Sequence, residues 1–90
     1  MGDRSIEERV IDVVAEHFGI DKNQITRQSS FVDDLAADSL DSTEVIMELE
    51  EEFSEGDVVF KVPDADADKL LTVGNAIDYI TKKLSGSQPG

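Results

Sequence analysis

Cysteine and tryptophan are absent from these 90 residues, and bases are scarce: eight Lys and Arg stand against 21 Asp and Glu, for a formal net charge of −13. Without cysteine there can be no disulfide and no thiolate metal site, and nothing marks a redox compartment. With so few bases there is no clustered Lys/Arg surface for a phosphate backbone, which argues against a nucleic-acid partner. No apolar run approaches the roughly 20 residues of a membrane span. Met1-Gly2-Asp3-Arg4 has no apolar signal-peptide segment. The expectation is a soluble intracellular monomer without integral membrane association, cytoplasmic or in an organelle matrix after loss of a transit peptide. A chain this short forms one domain burying on the order of 60% of its unfolded-chain surface. That leaves no room for a deep catalytic cleft beside a core.

The acids are unevenly placed. Between Arg27 and Lys61 there is no basic residue, while 11 acids occur: Asp33, Asp34, Asp38, Asp41, Glu44, Glu48, Glu50, Glu51, Glu52, Glu55 and Asp57. Such a block steers basic partners, although a merely solvated helix face would have the same composition.

Apolar spacing predicts helices. Ser5-Ile6-Glu7-Glu8 has the form of a capping box, Ile6, Val10, Val13, Val14 and Phe18 make one helical stripe, and Gly19 supplies the stop. His17, the lone histidine, reads as a helix-end residue complementing the dipole. From Ile20 to Asp38 the period disappears, but Ile20, Ile25, Phe31, Val32 and Leu35 persist, predicting a long loop pinned to the core. A second helix is expected from Ser39 to Phe53, with Leu40, Val45, Ile46, Leu49 and Phe53 buried and Met47 among the acids. Pro63 starts a short helix through Leu71, and Thr72 caps a last one carrying Val73, Ala76, Ile77, Ile80 and Leu84. Tyr79 falls at its edge. The predicted fold is all-α: a small four-helix bundle with three longer helices, a short third helix and a long first loop. Residues 1–90 make one domain with its core at about 5–84 and a flexible tail at 85–90.

Ser39 stands between acids where loop meets helix. A serine hydroxyl needs an activating base. The histidine is on the first helix, the nearest lysine, Lys22, is 17 residues away, and Ala37-Asp38-Ser39-Leu40-Asp41 is unlike the Gly-x-Ser-x-Gly nucleophile elbow. Ser39 is thus more plausibly a substrate than a catalyst, and the chain is not expected to be an enzyme. A helix N-terminus would favour an attached phosphate. An ordinary N-cap serine would look the same from spacing alone.

The segment Phe31-Val32-Asp33-Asp34-Leu35-Ala36-Ala37-Asp38-Ser39-Leu40-Asp41 resembles the phosphopantetheine attachment motif of acyl carrier proteins of type II fatty-acid synthesis. The resemblance continues through Glu44, Met47 and Glu50-Glu51-Glu52-Phe53, and resumes at Val62-Pro63-Asp64 and Ala76-Ile77-Asp78-Tyr79-Ile80. It implies a 4′-phosphopantetheine arm on Ser39, flanked by Asp38 and Leu40, with acyl groups carried as thioesters on the arm's thiol. It further implies that Asp38 helps bind the metal used by the phosphopantetheinyl transferase during modification, with no specific metal site otherwise. Asp41, Glu44, Met47, Glu48 and Glu51 would face basic patches of synthase enzymes. Val45, Ile46, Leu49, Val62, Ala67 and Leu70 would line an acyl pocket.

Departures and rival readings accompany the resemblance. Ala36 stands where the family usually has Gly, stiffening the turn if its φ is negative. The Ser54–Val62 linker is long, and its apolar Val58, Val59 and Phe60 suit either a core flap near the acyl pocket, the favoured reading, or a partner patch. The alternative functions are a specialised carrier for polyketide, amino-acyl or other dedicated chemistry, and an unmodified acidic interaction domain. Asp64-x-Asp66-x-Asp68 is no EF-hand, because Lys69 and Asn75 stand where Gly and Glu are required.

Overall fold

A computed structural model describes residues 5–85, with Ser85 described by its backbone alone. The tail expected over 85–90 therefore lies outside the described residues, apart from Ser85, which closes the last helix. Among the described residues four helices run in the order α1 (Ile6–Phe18), α2 (Ser39–Phe53), α3 (Asp64–Ala67) and α4 (Val73–Ser85). A single 3-10 turn at Lys22–Gln24 interrupts the long first loop. No strand occurs among the described residues, only isolated bridges at Ser30–Thr72 and Glu55–Val58.

Local chemistry sets the helix ends. Ser5 Oγ accepts from the Glu8 N–H at 3.1 Å and the Glu8 carboxylate accepts from the Ser5 N–H at 3.2 Å, closing the capping box. At the other end Gly19 sits at φ 68°, in the left-handed region that terminates helices. For α4 the same reciprocity joins Thr72 and Asn75: Thr72 Oγ1 accepts from the Asn75 N–H, and Asn75 Oδ1 accepts from the Thr72 N–H, both at 3.1 Å.

The stripes meet in one core built from Val10 and Val14 of α1, Val45, Leu49 and Phe53 of α2, and Val73, Ala76, Ile77 and Ile80 of α4. α1 lies against both α2 and α4. It runs antiparallel to α2, as its charges show. Arg9 near the start of α1 donates to Glu52 Oε2 at 2.9 Å and to the Glu52 carbonyl at 2.8 Å, at the end of α2. The guanidinium also covers the Phe53 ring, 4.4 Å from its centroid. His17, two turns later, reaches the beginning of α2.

The first loop is ordered by two anchors and a seam. Ile25 and Phe31 are buried in the core. The Phe31, Val73 and Gly74 amides pair with the carbonyls of Leu71, Ser29 and Arg27, stitching the loop to the start of α4. Three expectations are corrected here. Val32, expected to pin the loop, is 63% exposed, and Leu40, placed in the buried stripe of α2, is 64% exposed. α3 stops at Ala67 rather than reaching Leu71. Its aspartates lie on a helical turn, with Asp66 taking the Tyr79 O–H at 2.6 Å.

The linker after α2 divides between the two readings offered for it. Glu55 and Val58 exchange backbone hydrogen bonds around Gly56, whose φ is 58°. This tight turn points Val58 and Val59 outward while Phe60 is buried against Phe53, ring centroids 5.9 Å apart. Phe60 folds back as core; the two valines do not.

Candidate functional site

Ser39 is the first residue of α2, and the helix is capped by its neighbour. Asp38 is extended at φ −95°, and its Oδ1 accepts from the Asp41 N–H at 2.8 Å while Asp41 Oδ2 faces the Asp38 N–H at 3.3 Å. This acidic capping box rules out the alternative of Ser39 as an ordinary N-cap serine. A carboxylate is an equally good cap and the +3 partner here is another acid, so Asp38 takes the position. Ser39 is left exposed, and among the described residues no hydrogen bond engages its Oγ. A hydroxyl not used for capping is free for a covalent bond.

The turn leading to Ser39 has a further feature. Ala36 adopts φ 57°, the only described non-glycine residue with positive φ. Alanine therefore does not stiffen this turn through a negative φ; it holds a conformation that costs an L-residue about 1–2 kcal/mol. The next residue is fixed, with Ala37 buried and its N–H donated to the Phe31 carbonyl at 2.8 Å.

The acids of α2 form a continuous exterior. Glu44, Met47 and Glu51 are exposed, Met47 to 57%, while Asp41 and Glu48 are half-buried against α1. Between α1 and α2 lies an open groove of about 620 Å³ lined by Val13, Glu16, His17, Glu44, Glu48, Glu51 and Glu52. A second one of about 540 Å³, on the other flank of Met47, includes Glu44, Glu50, Val59, Phe60 and Lys61. Both are shallow, and acids line much of each.

His17 was read from the sequence as a simple helix-end residue, and the structure gives it more to do. Its Nδ1 lies 3.1 Å from Glu48 Oε2 and its Nε2 lies 3.2 Å from Asp41 Oδ1, with Glu44 Oε1 at 3.9 Å. Burial alone would lower the imidazole pKa, but hydrogen bonds to Glu48 and Asp41 and their charges outweigh it and raise the pKa above the ordinary 6.5. Asp41 is held below the ordinary 3.8, first by the His17 hydrogen bond and then by its capping bond with Asp38. The ligand atoms of His17, Asp41 and Glu44 lie within 4.8 Å of one another. Both ring nitrogens face carboxylates, so a protonated His17 makes this group an ion-pair cluster. Its partners are 24 and 31 residues away in sequence, beyond the reach of any local motif.

The residues expected to line an acyl pocket fall together on the inner side. Val45, Leu49, Val62 and Leu70 are buried in the core, and Ile46 and Ala67 pack against it. Val62 is fixed by its N–H to Glu50 Oε2 at 2.8 Å. Ala67 is the residue that α3 contributes to this region. No helix among the described residues is long and apolar enough to cross a membrane.

Comparison with known proteins gives two findings. Residues 8–80 match the family model for a phosphopantetheine attachment site. The chain is also 52% identical, over 83 residues, to an acyl carrier protein of Chlorobium phaeobacteroides, an alignment covering 92% of this chain and all of that protein.

Proposed function

The chain belongs to the acyl carrier protein family, whose group is phosphopantetheine, and on that premise we propose that Ser39 is its attachment residue. Members of this family are carriers and not catalysts. The observation that carries the assignment is the exposed Ser39 hydroxyl at the first position of α2, left unused because Asp38 and Asp41 close the cap around it. Helix amides and dipole favour a phosphodiester there. The surrounding carboxylates favour an arm directed outward into solvent. The bound group supplies the thiol on which acyl chains are held as thioesters. The protein supplies no base for its own modification. His17 does reach the first turns of α2, but both its nitrogens are taken by Asp41 and Glu48. The base must therefore come from the phosphopantetheinyl transferase.

The exposed acids and Met47 on α2 suit docking by basic patches on the synthase enzymes that load and use the acyl group. Exposed charges of this kind mainly accelerate encounter and make binding salt-sensitive, appropriate for a carrier that must leave each enzyme. The acyl chain would enter between α2 and α3, parting Val45, Ile46, Leu49, Val62, Ala67 and Leu70. α3 is the element best placed to yield, being four residues long and tied to α4 through the Tyr79–Asp66 hydrogen bond. The pathway we assign is fatty-acid synthesis. The exposed Val58 and Val59 beside the second groove favour a second reading, a carrier with a dedicated partner.

The test is intact mass after incubation of the unmodified chain with coenzyme A and a phosphopantetheinyl transferase. One phosphopantetheine per chain is expected, with none on Ser39→Ala. An unchanged mass, or a gain that survives Ser39→Ala, overturns the assignment.

A further inference from the structure

We infer that His17 is a positioning residue for the attachment serine: a doubly hydrogen-bonded imidazolium that clasps α1 to α2 and steadies the capped turn carrying Ser39. The inference rests on the reading of Ser39 given above, but its physical core does not.

A carboxylate only accepts hydrogen bonds, and a neutral imidazole carries one N–H and one bare nitrogen. His17 presents both nitrogens to carboxylates, Nδ1 to Glu48 at 3.1 Å and Nε2 to Asp41 at 3.2 Å. Only the doubly protonated ring satisfies both. With one proton lost, one bare nitrogen faces a carboxylate oxygen in a site where the side chain is 9% exposed. The raised pKa points the same way, because the hydrogen bonds and charges of Glu48 and Asp41 outweigh the opposing effect of burial.

Asp41 links the imidazole to the cap. Its Oδ1 meets His17 while its Oδ2 faces the Asp38 N–H, and its own N–H is donated to Asp38. One carboxylate thus joins the interhelical clasp to the box that brackets Ser39 and Leu40. Without the imidazolium, Asp41 loses the contact that fixes its orientation from outside the helix, and its capping geometry is weakened with it. Every charged group facing the ring from α2 is an acid: Asp41, Glu44 and Glu48, with Glu51 and Glu52 further along the groove and Glu52 held by Arg9. From α1, Glu16 lines the same groove, and the Phe18 ring packs edge-on at 4.8 Å. Deprotonation therefore leaves only acids around the ring at this end of the seam, with Arg9 engaged at the other, and the first turn of α2 loosens as pH rises.

The experiment uses the unmodified chain, His17→Gln, which is neutral at every pH, and His17→Lys, which stays cationic. NMR follows the imidazole titration and the exchange protection of the Asp41 and Ser42 amides from about pH 5.5 to about pH 8.5. In the parent protein, protection should fall about tenfold as His17 deprotonates, the scale of a lost cap. His17→Gln should remain at the low value throughout, and His17→Lys should not follow the histidine titration. Ser39 loading from coenzyme A is measured in parallel, as the ratio of parent to His17→Gln rates so that the transferase's own pH profile cancels. That ratio should exceed one at the acid end and approach one at the alkaline end. An imidazole titrating at or below the ordinary value, an equal pH dependence of amide protection in His17→Gln, or a loading ratio of one throughout overturns the clasp. Absence of loading in every protein would instead overturn the reading of Ser39, and the amide data would still decide the clasp.

Discussion

Replacing Ala36 with glycine should stabilise this protein, although it removes a methyl group and adds freedom to the unfolded chain. Ala36 is held at φ 57°. In that region an L-residue pays about 1–2 kcal/mol for its Cβ, and glycine pays almost nothing. Against this, glycine is more disordered when unfolded, by about 0.4–1 kcal/mol. Ala36 is exposed, so no core contact is lost. The balance favours glycine by roughly 0.5–1 kcal/mol. In a domain of this size each kcal/mol moves the melting temperature by about 4–8 °C, so a rise of roughly 2–8 °C is expected. Thermal melts by far-UV circular dichroism measure it, with urea unfolding to check that the slope is unchanged. Ala37→Gly is the control, because Ala37 is buried and lacks the positive φ; it should destabilise. A melting temperature for Ala36→Gly equal to or below the parent's, at unchanged urea slope, would refute the argument that this turn is strained.

Other outcomes follow from the same geometry. Phe60→Ala should cost about 3–5 kcal/mol, as a buried Phe does, whereas Val59→Ser one residue away should stay within about 0.5 kcal/mol; equal effects in urea unfolding would contradict the divided linker. Tyr79→Phe removes the hydrogen bond to Asp66 from a half-buried site and should cost about 1 kcal/mol, with faster amide exchange at Asp68 and Leu70; no change there would release α3 from that tie. The stability advantage over His17→Gln should be confined by two titrations. His17 has a raised folded pKa, so its contribution is complete below 6.5 and lost as pH climbs through the higher folded value. Asp41 has a depressed one, so its contribution is complete above 3.8 and lost as pH falls through the lower folded value. A parent-to-variant difference in urea midpoint that is flat from about pH 4 to about pH 8.5 would exclude the linkage.

Features encoded within a few residues were legible in the sequence. The Ser5–Glu8 box, the Gly19 stop, the Thr72 cap and the apolar stripes of α1, α2 and α4 all depend on spacings within one or a few helical turns. The run around Ser39 was equally visible, and family resemblance identified its group. Where two local solutions competed, spacing could not choose: Asp38 and Ser39 are both good caps, and the partner at Asp41 settles it only once the box is seen. Exposure also escaped the pattern. Leu40 has the right residue type for the stripe but sits in the first turn, beyond the packed face, and Val32 lies on the outside of an irregular loop. The α1–α2 charge pairs escaped as well. Arg9 to Glu52 and His17 to Asp41 and Glu48 join residues 24 to 43 apart, so they exist only after the helices have packed.

The claim on which the functional account turns is that one particular hydroxyl carries the group. Ser42 stands a single turn of helix from Ser39, within the same acidic segment, and is the natural competitor. Fragment mass spectrometry of the chain after treatment with coenzyme A and transferase tests the choice directly. The account predicts phosphopantetheine on Ser39 alone, with loading kept in Ser42→Ala and lost in Ser39→Ala. Modification at Ser42 or at any other serine, or loading of Ser39→Ala, would contradict it.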